Sequence, residues 1–101
     1  MTNIAYKILT SSQWEAFEAE GMFYGAPVDV ADGYIHLSTA DQLEETLGKH
    51  FFGQSGLVVA EIDLSGFGDT LRWEPSRGGA LFPHLYAPLP FGAVIKYEFI
   101  S

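Results

Sequence analysis

Three segments of this chain carry polar side chains that alternate with apolar residues. Within each segment the polar residues are two apart, and side chains two apart point to the same face of a β-strand. If the segments converge, one pocket holds imidazole, hydroxyl, guanidinium, carboxylate and phenol groups. That set suits a small polar ligand and acid–base chemistry. The residues are Tyr34, His36 and Ser38 in the first segment, Arg72 and Glu74 in the second, and His84 and Tyr86 in the third.

Each of these groups also has an interpretation that involves no ligand. A histidine on a strand is commonly a hydrogen-bonded structural residue. Arg72 and Glu74 are compatible with a surface ion pair, which contributes little to stability. His84 and Tyr86 are compatible with a capped sheet edge. We favour a site because the same pattern recurs three times on an apolar background.

Two known catalytic arrangements fit the polar residues poorly. A triad built on Ser38 and His36 would place both residues on one strand, and no segment indicates an oxyanion hole. His36, His84 and Glu74 are ligand types that suit zinc or iron. However, the chain has no H-x-H or H-x-x-x-H spacing to support such a centre. We therefore predict no metal site.

The composition limits the function classes that the chain can serve. Its 101 residues are enough for one domain with one core, which we expect to span residues 1–101. A formal net charge of −8 argues against free nucleic acid and anionic membranes as partners. The chain has no cysteine, so disulfides and thiolate nucleophiles are excluded. It also has no membrane-length apolar run or signal-peptide pattern, and we expect a cytoplasmic protein.

Two helices are predicted in the first half of the chain. Residues 4–9 favour a strand, and residues 12–20 favour a helix that begins with a Ser12–Glu15 capping box and ends at Gly21. Residues 22–31 are predicted to form an irregular loop near the site. After a turn and the strand at residues 34–38, Ala40, Leu43, Leu47 and Phe51 mark the apolar face of a second helix. Trp14 and Phe17 are predicted to face the core.

The second half of the chain is predicted to be mostly strands. Residues 57–64 are almost continuously apolar, which indicates a central strand covered on both faces. Residues 81–86 contain Pro83, which favours an edge strand or an extended segment over a central strand. In residues 93–100, Ala93, Ile95, Tyr97 and Phe99 alternate with polar residues and share one face. These patterns predict a small α+β domain with a mainly antiparallel sheet and two short helices.

Several blocks of the sequence resemble the domain of unknown function 952 family, whose members have no established activity. The resemblance runs nearly from end to end. Its most specific parts are the F-P-H-[IL]-Y-x-P-L block at residues 82–89 and the [FY]-I-H-x-S strand at residues 34–38. Residues 6–8, 32–38, 57–63 and 72–74, together with Gln42, complete the set of matching blocks.

A second, more distant resemblance bears on chemistry. Residues 34–38 are similar to the H-[VI]-H-L-S strand of RNA 2′-phosphotransferases, which use NAD and have the ADP-ribosyltransferase fold with its split sheet. In that superfamily a histidine on the first strand holds the nicotinamide-side ribose, and this position falls on Lys7 here. Lysine donates hydrogen bonds but cannot accept them, so Lys7 does not reproduce a neutral imidazole. In the same superfamily a second aromatic residue, on a later strand, packs on the nicotinamide, and this position falls on His36 here.

The leading hypothesis is a cleft on an ADP-ribosyltransferase-like split sheet that binds a small polar or nucleotide-like ligand. NAD or another nucleotide is the cofactor that this resemblance implies, with transfer at a ribose as the reaction. We expect His36, Glu74 and His84 to be the catalytic groups. Glu74 and Glu98 are the candidate acids for stabilising an oxocarbenium-like centre. Ligand contacts are expected from Lys7, Tyr34, Ser38, Arg72 and Tyr86, with Arg77 as a further phosphate contact.

Two alternatives stay open beside this hypothesis. The first is a binding or interaction module on the same fold without catalysis, which Lys7 favours. The second is a metal-dependent hydrolase, which predicts bound zinc or iron in the purified protein. Whether the chain is an enzyme therefore remains undecided by the sequence.

Overall fold

The computed structural model of the chain describes residues 3–100, except for the side chain of Arg77. These residues form three α-helices and eight strands with two buried hydrophobic clusters, and the Cα radius of gyration is 12.6 Å. That radius is typical of a domain of about 100 residues. The helices are α1 (Ser11–Glu20), α2 (Pro27–Asp32) and α3 (Ala40–His50), and the strands are β1 (Ile4–Thr10), β2 (Met22–Phe23), β3 (Ile35–His36), β4 (Leu57–Asp63), β5 (Leu71–Pro75), β6 (Leu81–Leu85), β7 (Leu89–Pro90) and β8 (Val94–Ile100).

The strands form two antiparallel three-stranded sheets and one small two-stranded sheet. The first sheet has the order β1-β4-β8, the second has the order β3-β6-β5, and β2 pairs with β7. A single bridge joins the two larger sheets, because Tyr6 and Ser38 exchange backbone hydrogen bonds of 2.7 and 3.0 Å. β1 therefore meets the segment that follows β3 at that bridge, and a cavity opens between the two sheets beside it.

The first sheet is covered on both faces. Trp14 and Phe17 of α1 are buried against one face, as predicted. Leu43, Leu47 and Phe51 pack against the other face around Ile8, Leu57 and Val59. β4 is the central strand, which confirms the prediction from its apolar run. The helix cap differs from the prediction, because Thr10 and Gln13 form the capping box of α1.

The prediction of an irregular loop at residues 22–31 was wrong. It contains β2 and most of α2, so the part of the chain that the structure describes has three α-helices where two were predicted. Pro27 occupies the first turn of α2, where its fixed φ is favourable and its missing N–H costs nothing. The Asp29 carboxylate accepts a hydrogen bond from the Ala26 N–H at 2.7 Å, and Gly33 ends the helix at φ 88°.

The strand containing Pro83 was also placed wrongly by the sequence. β6 lies in the middle of its sheet, between β3 and β5. The N–H and C=O of one strand residue point toward the same neighbouring strand. The Pro83 carbonyl accepts a hydrogen bond from the Leu37 N–H, on the side of β3. The proline nitrogen therefore faces the side where the two-residue β3 has already ended, and no hydrogen bond with β5 is lost. The shortness of β3 is what permits the proline.

The ends of two predicted strands differ from the sequence pattern. At residues 34–38 only Ile35–His36 pair as a strand, and Ser38 makes the bridge to β1. β8 begins at Val94, so Ala93 lies outside the strand. β8 is an edge strand, and Ile95, Tyr97 and Phe99 remain largely exposed. No helix within residues 3–100 has the length and apolarity that a membrane span requires.

Candidate functional site

The three polar groups lie on one face of the sheet formed by β3, β6 and β5. His36 is directly opposite His84, and His84 is directly opposite Arg72. Glu74 is opposite Phe82, one step along the same face. Because side chains two apart share a face, this register brings the remaining members of each group to the same surface. The structure thus brings together three segments that lie apart in the sequence.

A cavity of about 540 Å³ opens between this face and the first sheet. Four of the eight predicted site residues line it, namely Lys7, His36, Ser38 and His84. The predicted residues fall into two sets. The cavity set lines the cavity, and the adjoining set contacts the two histidines or the side chains that hold them. The adjoining set is Tyr34, Arg72, Glu74 and Tyr86.

Lys7 is placed in the cavity wall by β1 and is 6% exposed. Its Nζ lies 3.0 Å from Asp29 Oδ2 and also donates to the backbone carbonyl of His36 at 3.0 Å. Burial lowers the pKa of Lys7, and the negative charge of Asp29 works in the opposite direction. Lys7 was predicted as a ligand contact, and the structure shows it as the cation of a buried ion pair that joins β1 to α2 and β3.

Asp29 is the centre of this arrangement and is 2% exposed. Besides Lys7, its carboxylate accepts from the backbone N–H of Ala26 and of His36, and it lies 2.6 Å from His36 Nδ1. Burial by itself would raise the pKa of Asp29. The hydrogen bonds from His36 and the charge of Lys7 outweigh burial and lower that pKa to about 2.

His36 lies between two carboxylates of α2. Its Nδ1 contacts Asp29, and its Nε2 is 2.9 Å from Asp32 Oδ2. Residues three apart on a helix share a face, which is why both acids reach the same ring. Both ring nitrogens can donate only in the imidazolium form. The structure therefore presents a histidine at the cavity whose two ring nitrogens each contact a carboxylate, and Asp32 is still 46% exposed.

His84 forms a second pair with a carboxylate. Its Nδ1 lies 2.7 Å from Glu74 Oε1, and the phenol of Tyr86 donates to the same oxygen at 2.7 Å. Hydrogen bonds from His84 and then Tyr86 lower the pKa of Glu74, and the bond to Glu74 raises the pKa of Tyr86. The Arg72 guanidinium lies 4.7 Å from the Tyr86 ring centroid, a cation–π distance.

Tyr34 connects the two histidines through its ring. Its centroid is 4.6 Å from that of His36, 4.1 Å from that of His84 and 5.2 Å from that of Tyr86. These are tilted aromatic contacts of the kind that stabilise packed rings. Tyr34, predicted as a ligand contact, thus packs on both imidazoles and holds their orientation.

Ser38 points into the cavity wall and is 4% exposed. Its hydroxyl lies 2.9 Å from the hydroxyl of Thr46 on α3. The ring nitrogens of His36 face Asp29 and Asp32, so the geometry does not form a Ser38–His36 triad. Ser38 therefore contributes a polar group to the wall of the cavity.

The remaining candidate residues lie away from this arrangement. Glu98 is on β8 and lines a separate, shallower depression, together with Tyr97 and Lys96. The side chain of Arg77 lies outside the described part of the structure. Within residues 3–100, no group of three or more His, Asp or Glu side chains has an arrangement that could hold a metal ion. The set His36, Glu74 and His84 therefore does not form a metal centre here.

A family model for "protein of unknown function (DUF952)" matches residues 8–97 of the chain. The chain belongs to the DUF952 family. The match covers nearly the whole domain and includes every predicted site residue except Lys7. No protein with a curated description matches this DUF952 chain.

Solved structures similar to this DUF952 chain include those of CC0527 from Caulobacter crescentus. The X-ray crystal structure of CC0527 from Caulobacter crescentus has a TM-score of 0.91 and 47% identity, and the match covers 94% of this chain and 83% of that chain. The solution NMR structure of CC0527 has a TM-score of 0.85 and 46% identity, covering 96% of this chain and 84% of that one. A small α+β domain with mainly antiparallel sheets is therefore shared with these structures.

Two site residues of this DUF952 chain were missed by the sequence reasoning. Asp29 lies in the segment that was predicted to be a loop and Asp32 in the turn that was predicted to follow it, so their spacing carried no meaning. A signal was available, because Ala26-Pro27 followed by an acid at the third helical position is typical of a helix start. Once that segment is a helix, two acids three apart must share a face.

Proposed function

We propose that the cavity binds a small, ribose-bearing ligand of the nucleotide class, and that the reaction is a transfer at the ribose. His36 is the positioning and acid–base group, and Asp29 holds it in orientation. Asp32 is the acid that faces the reacting sugar, in place of Glu74 or Glu98. A cytoplasmic location, where such ligands are abundant, is part of the same proposal.

The observation that carries this proposal is the ring of His36 between Asp29 and Asp32 at the wall of the cavity. A carboxylate commonly accepts hydrogen bonds from ribose hydroxyls in nucleotide sites. A carboxylate beside C1′ also stabilises the positive charge that develops when a glycosidic bond breaks. Asp32 is half-exposed and lines the cavity, so it is accessible for either role.

The divergence of the two sheets supports the comparison with ADP-ribosyltransferases. A split sheet with a site at the opening is the arrangement that the resemblance of residues 34–38 implies. We propose on this basis that the fold is ADP-ribosyltransferase-like, with His36 at the corresponding position. This part of the proposal is an analogy of fold, and the chemistry is argued from the residues of the site.

A catalytically inactive binding module is the second candidate. It is favoured by the Lys7–Asp29 ion pair, because Lys7 occupies the first-strand position and its charge is neutralised inside the protein. In this candidate the ligand class is the same, and Asp32 and His36 only bind it.

A thermal-shift titration with NAD, ADP-ribose, and neutral nucleosides tests the proposal. A ligand at 100 times its dissociation constant stabilises a domain of this size by about 2.7 kcal/mol, which raises Tm by roughly 10 °C or more. We expect such a shift with at least one ribose-bearing ligand, and a much smaller shift with Asp32→Asn.

The matched control is Asp69→Asn, the same chemical change at an exposed aspartate of a surface turn. It should bind like the wild type. The proposal fails if no ribose-bearing ligand shifts the wild type, or if Asp32→Asn and Asp69→Asn behave alike. Turnover of a bound ligand, followed by chromatography, separates the transferase from the inactive module.

A further inference from the structure

The cavity contains two histidine–carboxylate pairs that face each other across paired strands. His36 and His84 occupy opposite register positions, their ring centroids are 5.7 Å apart, and both line the cavity. Each has its Nδ1 on a carboxylate, at 2.6 Å for Asp29 and 2.7 Å for Glu74. A carboxylate on Nδ1 fixes the ring and its tautomer, which prepares Nε2 for proton transfer.

The rings of His36 and His84 differ in the number of carboxylates that contact them. His36 has a second carboxylate, Asp32, 2.9 Å from Nε2, so each ring nitrogen has a carboxylate to which it can donate when it carries a proton. His84 has one carboxylate, and Glu74 does not line the cavity, so the Nε2 edge of His84 is the edge toward the ligand. In this arrangement one ring can give a proton at Nε2 and the other can take one.

The charges around the cavity discriminate between kinds of nucleotide. Among the described residues that line the cavity, Lys7 is the single lysine or arginine, and Asp29 neutralises it. Asp32 adds a half-exposed negative charge. A pyrophosphate would meet the Asp32 carboxylate and no unpaired lysine or arginine in this set, whereas a neutral ring meets the apolar walls that Val28, Phe51 and Phe82 supply. The cavity therefore favours an uncharged riboside.

We propose that the substrate class is a neutral nucleoside and that the reaction is hydrolysis of its N-glycosidic bond. This rests on the proposed function and names its substrate. The C1′–N bond breaks, its electron pair goes to the base nitrogen, and that nitrogen takes the proton that His36 Nε2 otherwise shares with Asp32. The oxygen of water bonds to C1′ and gives its proton to His84 Nε2. Asp32 faces the positive charge that develops at the sugar.

Incubation of the full chain with inosine, adenosine, uridine and NAD tests this inference. Released base is measured by chromatography and free ribose by a reducing-sugar assay. We expect base release from at least one nucleoside, and release from NAD at least 100-fold slower. His84→Asn keeps an N–H donor near the Nδ1 position and removes the Nε2 acceptor. It should lower the rate by at least about 100-fold, as loss of a general base does.

Because His84 is buried, Asp32→Asn is the second variant, at a half-exposed position. It should lower the rate by at least about 100-fold while Tm stays close to that of Asp69→Asn, which should keep the wild-type rate. Cleavage of NAD without cleavage of nucleosides would overturn the inference and leave the proposed function standing. Calorimetric binding of nucleosides with no base release would overturn it in favour of the inactive module. No binding of any ribose-bearing ligand would overturn both.

Discussion

The two histidine–carboxylate pairs have nearly the same contact distance in very different surroundings. The side chain of Asp29 is 1% exposed, and that of Glu74 is 34% exposed. Asp29 also pairs with Lys7 and caps the start of α2, whereas Glu74 receives one further hydrogen bond, from Tyr86. The first pair therefore joins three elements of the fold, and the second joins neighbouring strands near the surface.

The comparison shows that two contacts of similar length contribute differently to stability when one is buried and the other is partly exposed. A buried charge that loses its partner is costly, while a half-exposed one is compensated by water. The Asp29–His36 pair should control both stability and the site. The Glu74–His84 pair should control the protonation of the site with little effect on stability.

The largest expected effect is on the buried pair. Lys7→Met removes the cation beside Asp29 and leaves a buried carboxylate with one partner fewer. We expect the free energy of unfolding to fall by about 3–5 kcal/mol, measured by urea denaturation. The double variant Lys7→Met/Asp29→Asn should lose less than the sum of the two single variants. If Lys7→Met lowers the free energy of unfolding by less than about 1 kcal/mol, the buried pair contributes no more than an exposed one, and the two pairs do not differ as argued.

The next effect is a dependence of stability on acid. The pKa of Asp29 falls from 3.8 to about 2 on folding, so its contribution is present above pH 4 and is lost as the pH falls toward 2. The contribution is about 2 kcal/mol. Asp29→Asn should therefore show a shallower loss of stability between pH 5 and pH 2 than the wild type. If the free energy of unfolding falls equally with pH in the two proteins, Asp29 is not the source of the acid dependence.

The smallest effect is expected at the exposed pair. Glu74→Gln keeps an acceptor oxygen, so the urea midpoint should shift far less than in Lys7→Met. The charge of Glu74 is lost, and the raised pKa of Tyr86 should fall toward its ordinary value. An ultraviolet titration of the phenol measures this change. Glu98→Gln, on the other sheet, is the control and should leave the phenol titration unchanged.

Much of the fold could be predicted because its signals are local. The apolar run of β4, the alternation in residues 34–38 and the Trp14–Phe17 face of α1 each follow from the geometry of a single element. The predictions that depended on neighbours were less successful. Pro83 was expected at an edge, and it lies in a central strand because β3 is too short to need its N–H.

The candidate site divides in the same way. His36, His84, Glu74 and Tyr86 could be chosen from spacing alone, because a polar face on an apolar strand is visible in the sequence. Their convergence could not be derived, since it depends on which strands pair. Lys7 was a candidate from family resemblance, and its ion pair with a residue 22 positions away was invisible to any local pattern.

The sequence by itself determined the strand faces and the acidic, cysteine-free composition, because each depends on nearby residues or on residue counts. Only the tertiary structure decided that α2 brings Asp29 and Asp32 to the two nitrogens of His36. It also decided that Lys7 supplies the balancing charge. The reason is physical: a side chain's type fixes what bonds it can make, and long-range pairing of the chain fixes which partner is close enough to make them.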